Sequence, residues 1–172
     1  MSSGDGIETG LVGREGAPEA LHLLGSAPCF NDCFVQVPAT ALRLEFKRFE
    51  QEFFSQEPVR QVILSSIQYN SLLTGQIAAC NRLHEVEERL ARWLLMVADR
   101  IGQPRFHLTQ EFLAEMIGSR RSTVTVTAGV LKRAGLISYH RGLIEIVDRE
   151  SLEEAACESY PITRKLLDSL DS

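Results

Sequence analysis

Residues 108–137 read Leu-Thr-Gln-Glu-Phe-Leu-Ala-Glu-Met-Ile-Gly-Ser-Arg-Arg-Ser-Thr-Val-Thr-Val-Thr-Ala-Gly-Val-Leu-Lys-Arg-Ala-Gly-Leu-Ile. Thr109 can cap a helix whose apolar positions are Phe112, Leu113 and Met116. Glu111 falls in its first turn, where a carboxylate meets the positive end of the helix dipole. Gly118 follows the last periodic residue, where a left-handed backbone is least costly for glycine. Ala114 is small enough for a second helix to cross closely. That helix is predicted from near Ser119 to Ala134, with Val124, Ala128 and Leu131 at i, i+4, i+7 on its apolar face. Its opposite face carries Arg121, Ser122, Thr125, Val126 and Gly129, and Gly135 stops it. Residues 136–147 then alternate as a hairpin with Gly142 in the turn. Two short helices, a tight turn and a hairpin make the layout of a winged helix-turn-helix, a motif that presents one helix to the major groove of DNA.

The outward face of the second helix has the chemistry of a reader. Arg121 has the fork that fits a guanine edge, Ser122 and Thr125 suit bases or phosphates, and Val126 suits a thymine methyl. Thr109, Arg120 and the turn residues His140 and Arg141 fall where backbone phosphates would lie. Residues 105–142 hold Arg105, Arg120, Arg121, Lys132, Arg133 and Arg141 against Glu111 and Glu115, so six minus two gives +4 within a chain of net charge −5. Basic charge is therefore concentrated here. The blander alternative is a helical hairpin whose arginines form only a solvated face.

Residues 82–160 resemble the C-terminal half of Crp/Fnr-type bacterial transcription regulators. The matching pieces are Glu-Glu-Arg-Leu-Ala-Arg-Trp-Leu-Leu (87–95), Leu-Thr-Gln-Glu-Phe-Leu-Ala (108–114), Arg-Arg-Ser-Thr-Val-Thr (120–125) and Arg-Ala-Gly-Leu-Ile (133–137). The resemblance implies an α+β, mostly helical build: a partial β-roll, a long dimerisation helix and a C-terminal winged helix-turn-helix. It implies double-stranded DNA and a second copy of the chain as partners, RNA polymerase as a further candidate partner, and a cytoplasmic location. In the best-studied members an Arg-Glu pair opens the recognition helix and a second Arg follows near its middle. Here Arg121 matches the first Arg, but Ser122 replaces the Glu and Val126 the later Arg. DNA binding is thus implied, whereas the well-known operator of the family is not.

Upstream, a long helix is predicted from Pro58 to about Leu83, with Ser55 and the proline as start signals. Val59, Ile63, Ser66, Asn70, Leu73, Ile77, Cys80 and His84 step by four and three. That spacing is a heptad seam along which two such helices can pair, with Asn70 fixing register. Ile63, Asn70, Leu73, Ile77 and Cys80 are accordingly the expected dimer seam. A break near residues 83–85 would be a hinge, followed by a helix over Val86–Ile101 ended by Gly102, with Glu88 and Arg92 as an i,i+4 pair.

Three units follow: residues 1–55 as a partial β-roll, 56–84 as dimerisation helix and hinge, and 85–172 as the winged helix-turn-helix. Residues 7–12, 34–37 and 41–46 look like short strands, and 47–54 like a short helix with Phe49, Phe53 and Phe54 inward. Against the family's roll of about eight strands, the chain starts inside it, so the first half of the roll is expected to be missing. Unpaired strand edges would result. The opening Met-Ser-Ser-Gly-Asp-Gly is expected to be a flexible lead, without the apolar core of a signal peptide. Nucleotide-sensing relatives use a glycine-rich turn with a Glu for the ribose and an Arg-Ser pair for the cyclic phosphate. Gly13, Glu15 and Gly16 resemble the first part, but Asn31 and Asp32 stand where the Arg-Ser pair should be. A carboxylate there repels a phosphate, so dependence on a cyclic nucleotide is not expected.

The remaining features exclude more than they add. With 172 residues the chain holds one or two small domains, and no run is long and apolar enough for a transmembrane helix. No nucleophile has a base at motif spacing and no carboxylate pair has a catalytic context, so an enzyme is not expected. Cys29 and Cys33 lie four apart, not in the Cys-x-x-Cys spacing of a strong metal or redox motif. Cys80 falls on the seam, where it would face its symmetry mate, and Cys157 on a final helix. Buried free thiols are the expectation, with no metal and no cofactor assigned. A thiol-based redox regulator and a protein-interaction module of winged-helix fold are the alternatives. The final helix is expected to be capped at Asp148, with Leu152, Ala155 and Ala156 inward and Pro161 ending or bending it.

Overall fold

A computed structural model describes residues 6–170 of the chain. After a single turn of 3-10 helix at Ala20–Leu24, two helices follow in close succession, α1 (Phe46–Ser55) and α2 (Glu57–Leu83). The C-terminal part runs α3 (Val86–Ile101), β1 (Arg105–His107), α4 (Gln110–Met116), α5 (Arg121–Arg133), β2 (Ile137–His140), β3 (Leu143–Ile146), α6 (Arg149–Glu154) and α7 (Ser159–Asp168). The three strands form one antiparallel sheet in the order β1-β3-β2, with Phe106 opposite Ile144 and Tyr139 opposite Ile144 on the other side. The mostly helical α+β build matches the sequence reading. Strand β1 is an addition: its three residues are too few to leave a period in the sequence.

Helix α3 is the axis of the core. Every residue from Arg89 to Ala98 is buried, because α5, α6 and α7 pack around it. Leu90, Trp93, Leu94 and Leu95 lie at its centre, each side chain contributing about 1.5–3 kcal/mol by leaving water. The helix starts with a reciprocal capping box in which Glu88 accepts from the Glu85 backbone N–H at 2.8 Å. That bond corrects the expected Glu88–Arg92 pair. The Glu88 carboxylate turns back toward the N-terminus, and the buried Arg92 lies against the Met96 sulfur. The expected break between α2 and α3 is present, with His84 ending one helix and Glu85 opening the next.

The dimer seam requires a larger correction. Leu73, Ile77 and Cys80 are 0 %, 2 % and 0 % exposed within a single chain. They pack into the chain's own core, with α7 lying on α2, so they are not free to meet a second copy. Asn70 is half-buried and donates to the Ser66 carbonyl at 3.0 Å, inside its own helix. Ile63 is half-buried as well. The stripe left outside on α2 is Val62, Leu72, Ala79 and Leu83, with Val62, Leu72 and Leu83 66 %, 48 % and 74 % exposed.

The N-terminal strands expected at 7–12, 34–37 and 41–46 do not form; among the described residues no strand precedes Arg105. An isolated edge has no ladder to join. Residues 7–12 instead pack as extended chain on the core, where Leu11 is buried and the Glu8 N–H donates to the Met116 carbonyl at 3.2 Å. In α1 only Phe53 turns fully inward; Phe49 is half-buried and Phe54 faces solvent. At the other end Pro161 opens α7 rather than ending a helix, since proline fits a first turn that needs no N–H. Cys157 therefore lies in the connector between α6 and α7, not on a helix. The flexible lead expected at the start lies outside the described residues except for Gly6.

Candidate DNA-binding surface

The surface is built from three local decisions. Thr109 accepts the Phe112 N–H at 3.1 Å through its hydroxyl, starting α4 where the sequence placed it. Gly118, at φ 59, turns the chain toward α5. Val124, Ala128 and Leu131 are buried against α3 and α4, with Thr127 beside them. Burial of that face leaves Arg121, Ser122, Thr125 and Val126 outside. Arg120 is exposed at the N-cap, and α5 begins two residues later than the sequence reading placed it.

Beyond α5, β2 and β3 close through Arg141 and Gly142, at φ 47 and 83, between the paired residues His140 and Leu143. Two central residues with positive φ are the signature of the hairpin turn that matches strand twist. His140 and Arg141 are exposed at its tip. The Tyr139 hydroxyl donates to the Leu108 carbonyl at 3.1 Å and the Leu108 N–H to the Gly142 carbonyl at 2.8 Å, tying the wing to the strand that leads into α4.

The electrostatics separate the basic residues. Arg105 is paired with Glu145 at 2.6 Å, and Lys132 donates to the Tyr139 carbonyl at 3.2 Å. Among the described residues no ion pair engages Arg120, Arg121 or Arg141. Lys132 and Arg133 are likewise outside any ion pair, so free positive charge lies at both ends of α5 and at the wing tip. Gln110 belongs to the same surface and was missed in the sequence. Its side-chain carbonyl accepts from the Thr125 hydroxyl at 2.8 Å, which locks that side chain at the α4–α5 junction. A polar residue directly after a helix cap was the available signal.

Residues 88–155 match the Crp-like helix-turn-helix domain family. This part of the chain is similar to Crp-like helix-turn-helix domains. The fold is similar to that of FixK2 from Bradyrhizobium japonicum (TM-score 0.59, 15 % identity, 64 % of this chain and 58 % of that one). It is also similar to a Crp/Fnr-family regulator of Thermus thermophilus (0.54, 23 %, 59 % and 55 %) and to a Crp-family regulator of the same organism (0.52, 21 %, 59 % and 55 %). The chain spans a little over half the length of these solved structures. No curated protein sequence matches it. The matched stretch takes in α4, α5 and the wing whole, so every residue of the candidate surface lies within it. Among the described residues no helix is long and apolar enough to cross a membrane.

Glu15, which resembled a ribose ligand, is engaged elsewhere. It accepts from Arg100 Nε at 3.0 Å and from the Gly13 N–H at 3.0 Å, and both side chains of the ion pair are nearly buried.

Proposed function

We propose that the chain is a sequence-specific DNA-binding transcription regulator acting as a cytoplasmic homodimer. One observation carries the reading: the exposed face of α5 and the wing tip concentrate unpaired arginines and short polar groups on a Crp-like helix-turn-helix domain. In this reading Arg121, Ser122, Thr125 and Val126 face base edges, and Thr109, Arg120, His140 and Arg141 hold phosphates. Residues 85–172 form the reading unit, 56–84 the dimer helix and hinge, and 1–55 a segment that braces them. The second copy pairs along the outward stripe of Val62, Leu72, Ala79 and Leu83, in which Leu72, Ala79 and Leu83 follow at seam steps of seven and four. Two recognition helices then enter successive major grooves about 34 Å apart on a pseudo-palindrome. RNA polymerase is a further partner of such a dimer. The regulator works without a cyclic nucleotide, because Glu15 is held by Arg100 and Asp32 repels phosphate. Its work is binding, not catalysis.

Selection from random duplex DNA at two salt concentrations tests this. A steep salt dependence with an enriched palindrome is the expected result. Arg121→Ala then weakens the selected site by about 1–3 kcal/mol and relaxes one base pair. Absence of binding at low salt would overturn the reading in favour of a protein-interaction module.

A further inference from the structure

The end of α2 and the α6–α7 connector bring together three side chains that the DNA-binding reading does not use. Cys80 and Cys157 are buried with their sulfurs 3.0 Å apart. His84 lies one helical turn after Cys80, and one ligand atom from each of the three lies within 4.8 Å of the others. His84 Nε2 is 2.8 Å from a carboxylate oxygen of Glu158. Its other nitrogen, Nδ1, is buried without a hydrogen-bond partner. We propose that Cys80, His84 and Cys157 bind one borderline-soft divalent cation of the zinc class, clamping the end of the long helix α2 to the start of α7.

The donor set fits that cation. Two thiolates and one neutral imidazole satisfy three of its four tetrahedral positions and leave the fourth to water. Glu158 holds the Nε2 proton, so Nδ1 becomes the ligand with its tautomer and ring orientation set, the outer-shell carboxylate arrangement common to histidine metal sites. The cation cancels the two thiolates, and Glu158, with 74 % of its side chain exposed, keeps its charge in water. A disulfide would leave Nδ1 buried and unsatisfied, whereas a metal gives it a partner. Metal–sulfur bonds of about 2.3 Å hold two thiolates roughly 3.8 Å apart. The pair must therefore open slightly, which Cys157 in its short connector permits. Closing Cα–Cα geometry for a disulfide would instead draw the sulfurs together. The consequence is mechanical: α2, the hinge at His84 and the last helix become one rigid unit.

The test uses the full chain, reduced, stripped with a chelator and titrated with Co(II) alone. The expected result is one Co(II) per chain with a thiolate charge-transfer band and the intense visible bands of a tetrahedral site, displaced by one equivalent of Zn(II). Cys157→Ser and His84→Ala lose that spectrum, and the Cys29→Ser, Cys33→Ser double variant keeps it. Glu158→Gln, at an exposed side chain that leaves the fold intact, weakens binding by about 10–100-fold. Binding that does not saturate at one ion per chain, a spectrum that survives Cys157→Ser, or Cys80 and Cys157 oxidising to a disulfide equally fast with and without Zn(II) would overturn the proposal.

Discussion

Arg141 holds a left-handed backbone, φ 47, at the wing tip, where glycine or asparagine would be at ease. The strained conformation costs about 1–2 kcal/mol for an ordinary L-residue. The side chain there is exposed and, among the described residues, outside any ion pair, so its charge is free. Arg141→Gly separates the two effects. The hairpin gains about 1 kcal/mol of stability, the relief being partly offset by about 0.5–1 kcal/mol of glycine entropy. DNA affinity falls and its salt dependence becomes shallower by about one phosphate contact. Urea unfolding and salt-titrated binding read the two separately, and a variant losing stability and affinity together would contradict this account. Gly118 is the converse case. At φ 59 it is strained for any other residue, and a Cβ there would sit 2.4 Å from the Ile7 side chain. Gly118→Ala should therefore destabilise by about 2 kcal/mol or more. Ile7→Ala in the same chain should recover the steric part, a coupling that a double-mutant cycle measures.

Helix α2 carries two apolar stripes, and they predict opposite behaviour. Leu72→Glu, on the outward stripe, should leave the circular dichroism unchanged and turn a dimer into a monomer, with weaker binding to a palindrome. Leu73→Ala, one residue on, should cost about 2–5 kcal/mol of folding free energy through a core cavity. Light scattering and thermal unfolding of the pair decide it; a Leu72→Glu protein that stays dimeric would rule out the outward stripe as the interface. The same helix shows where sequence reading stops. Its extent, the break at residues 83–85 and the whole α4–turn–α5–hairpin unit were legible because capping residues, glycines and period agree locally. The choice of stripe was not, since α2 carries apolar residues on both faces and only tertiary packing, with α7 lying on α2, selects Leu73, Ile77 and Cys80 for the inside. The N-terminal strands failed for a related reason. Alternating residues can form a strand only where a neighbour completes the ladder, and that neighbour is a tertiary fact. The meeting of Cys80 and Cys157, 77 positions apart, left no trace in spacing at all.

At the scale of the molecule, the N-terminal segment is a strap across the helix-turn-helix unit. Glu8 holds it. Its carboxylate accepts from Trp93 Nε1 at 2.7 Å and from Gln36 Nε2 at 2.9 Å, while its backbone N–H reaches the end of α4. Phe34 adds an edge-on contact with Phe112 at 5.9 Å, so both halves of the segment lean on α4. Burial pushes the Glu8 carboxyl above its ordinary value of 4.5, against the opposing hydrogen bonds from Gln36 and Trp93 and the charges of Arg92 and Arg100. A folded-state value above the unfolded one means that the folded chain holds this proton more tightly. The stabilisation is complete below pH 4.5 and is lost as pH rises through the folded value. Glu8→Gln keeps an acceptor for Trp93 and removes the buried charge. Its stability relative to the parent should therefore rise as pH is raised from 4.5 to neutrality and then level off. Urea unfolding of both proteins across that range measures the difference, which cancels the other carboxylates common to the two. A difference independent of pH would mean that Glu8 carries the same charge state in both forms of the chain, and that the strap is held by Ile7, Leu11 and Phe34 alone. A rising difference would make the grip of the N-terminal segment on α4 weaken as Glu8 ionises, linking proton release to the helix that positions the reading surface.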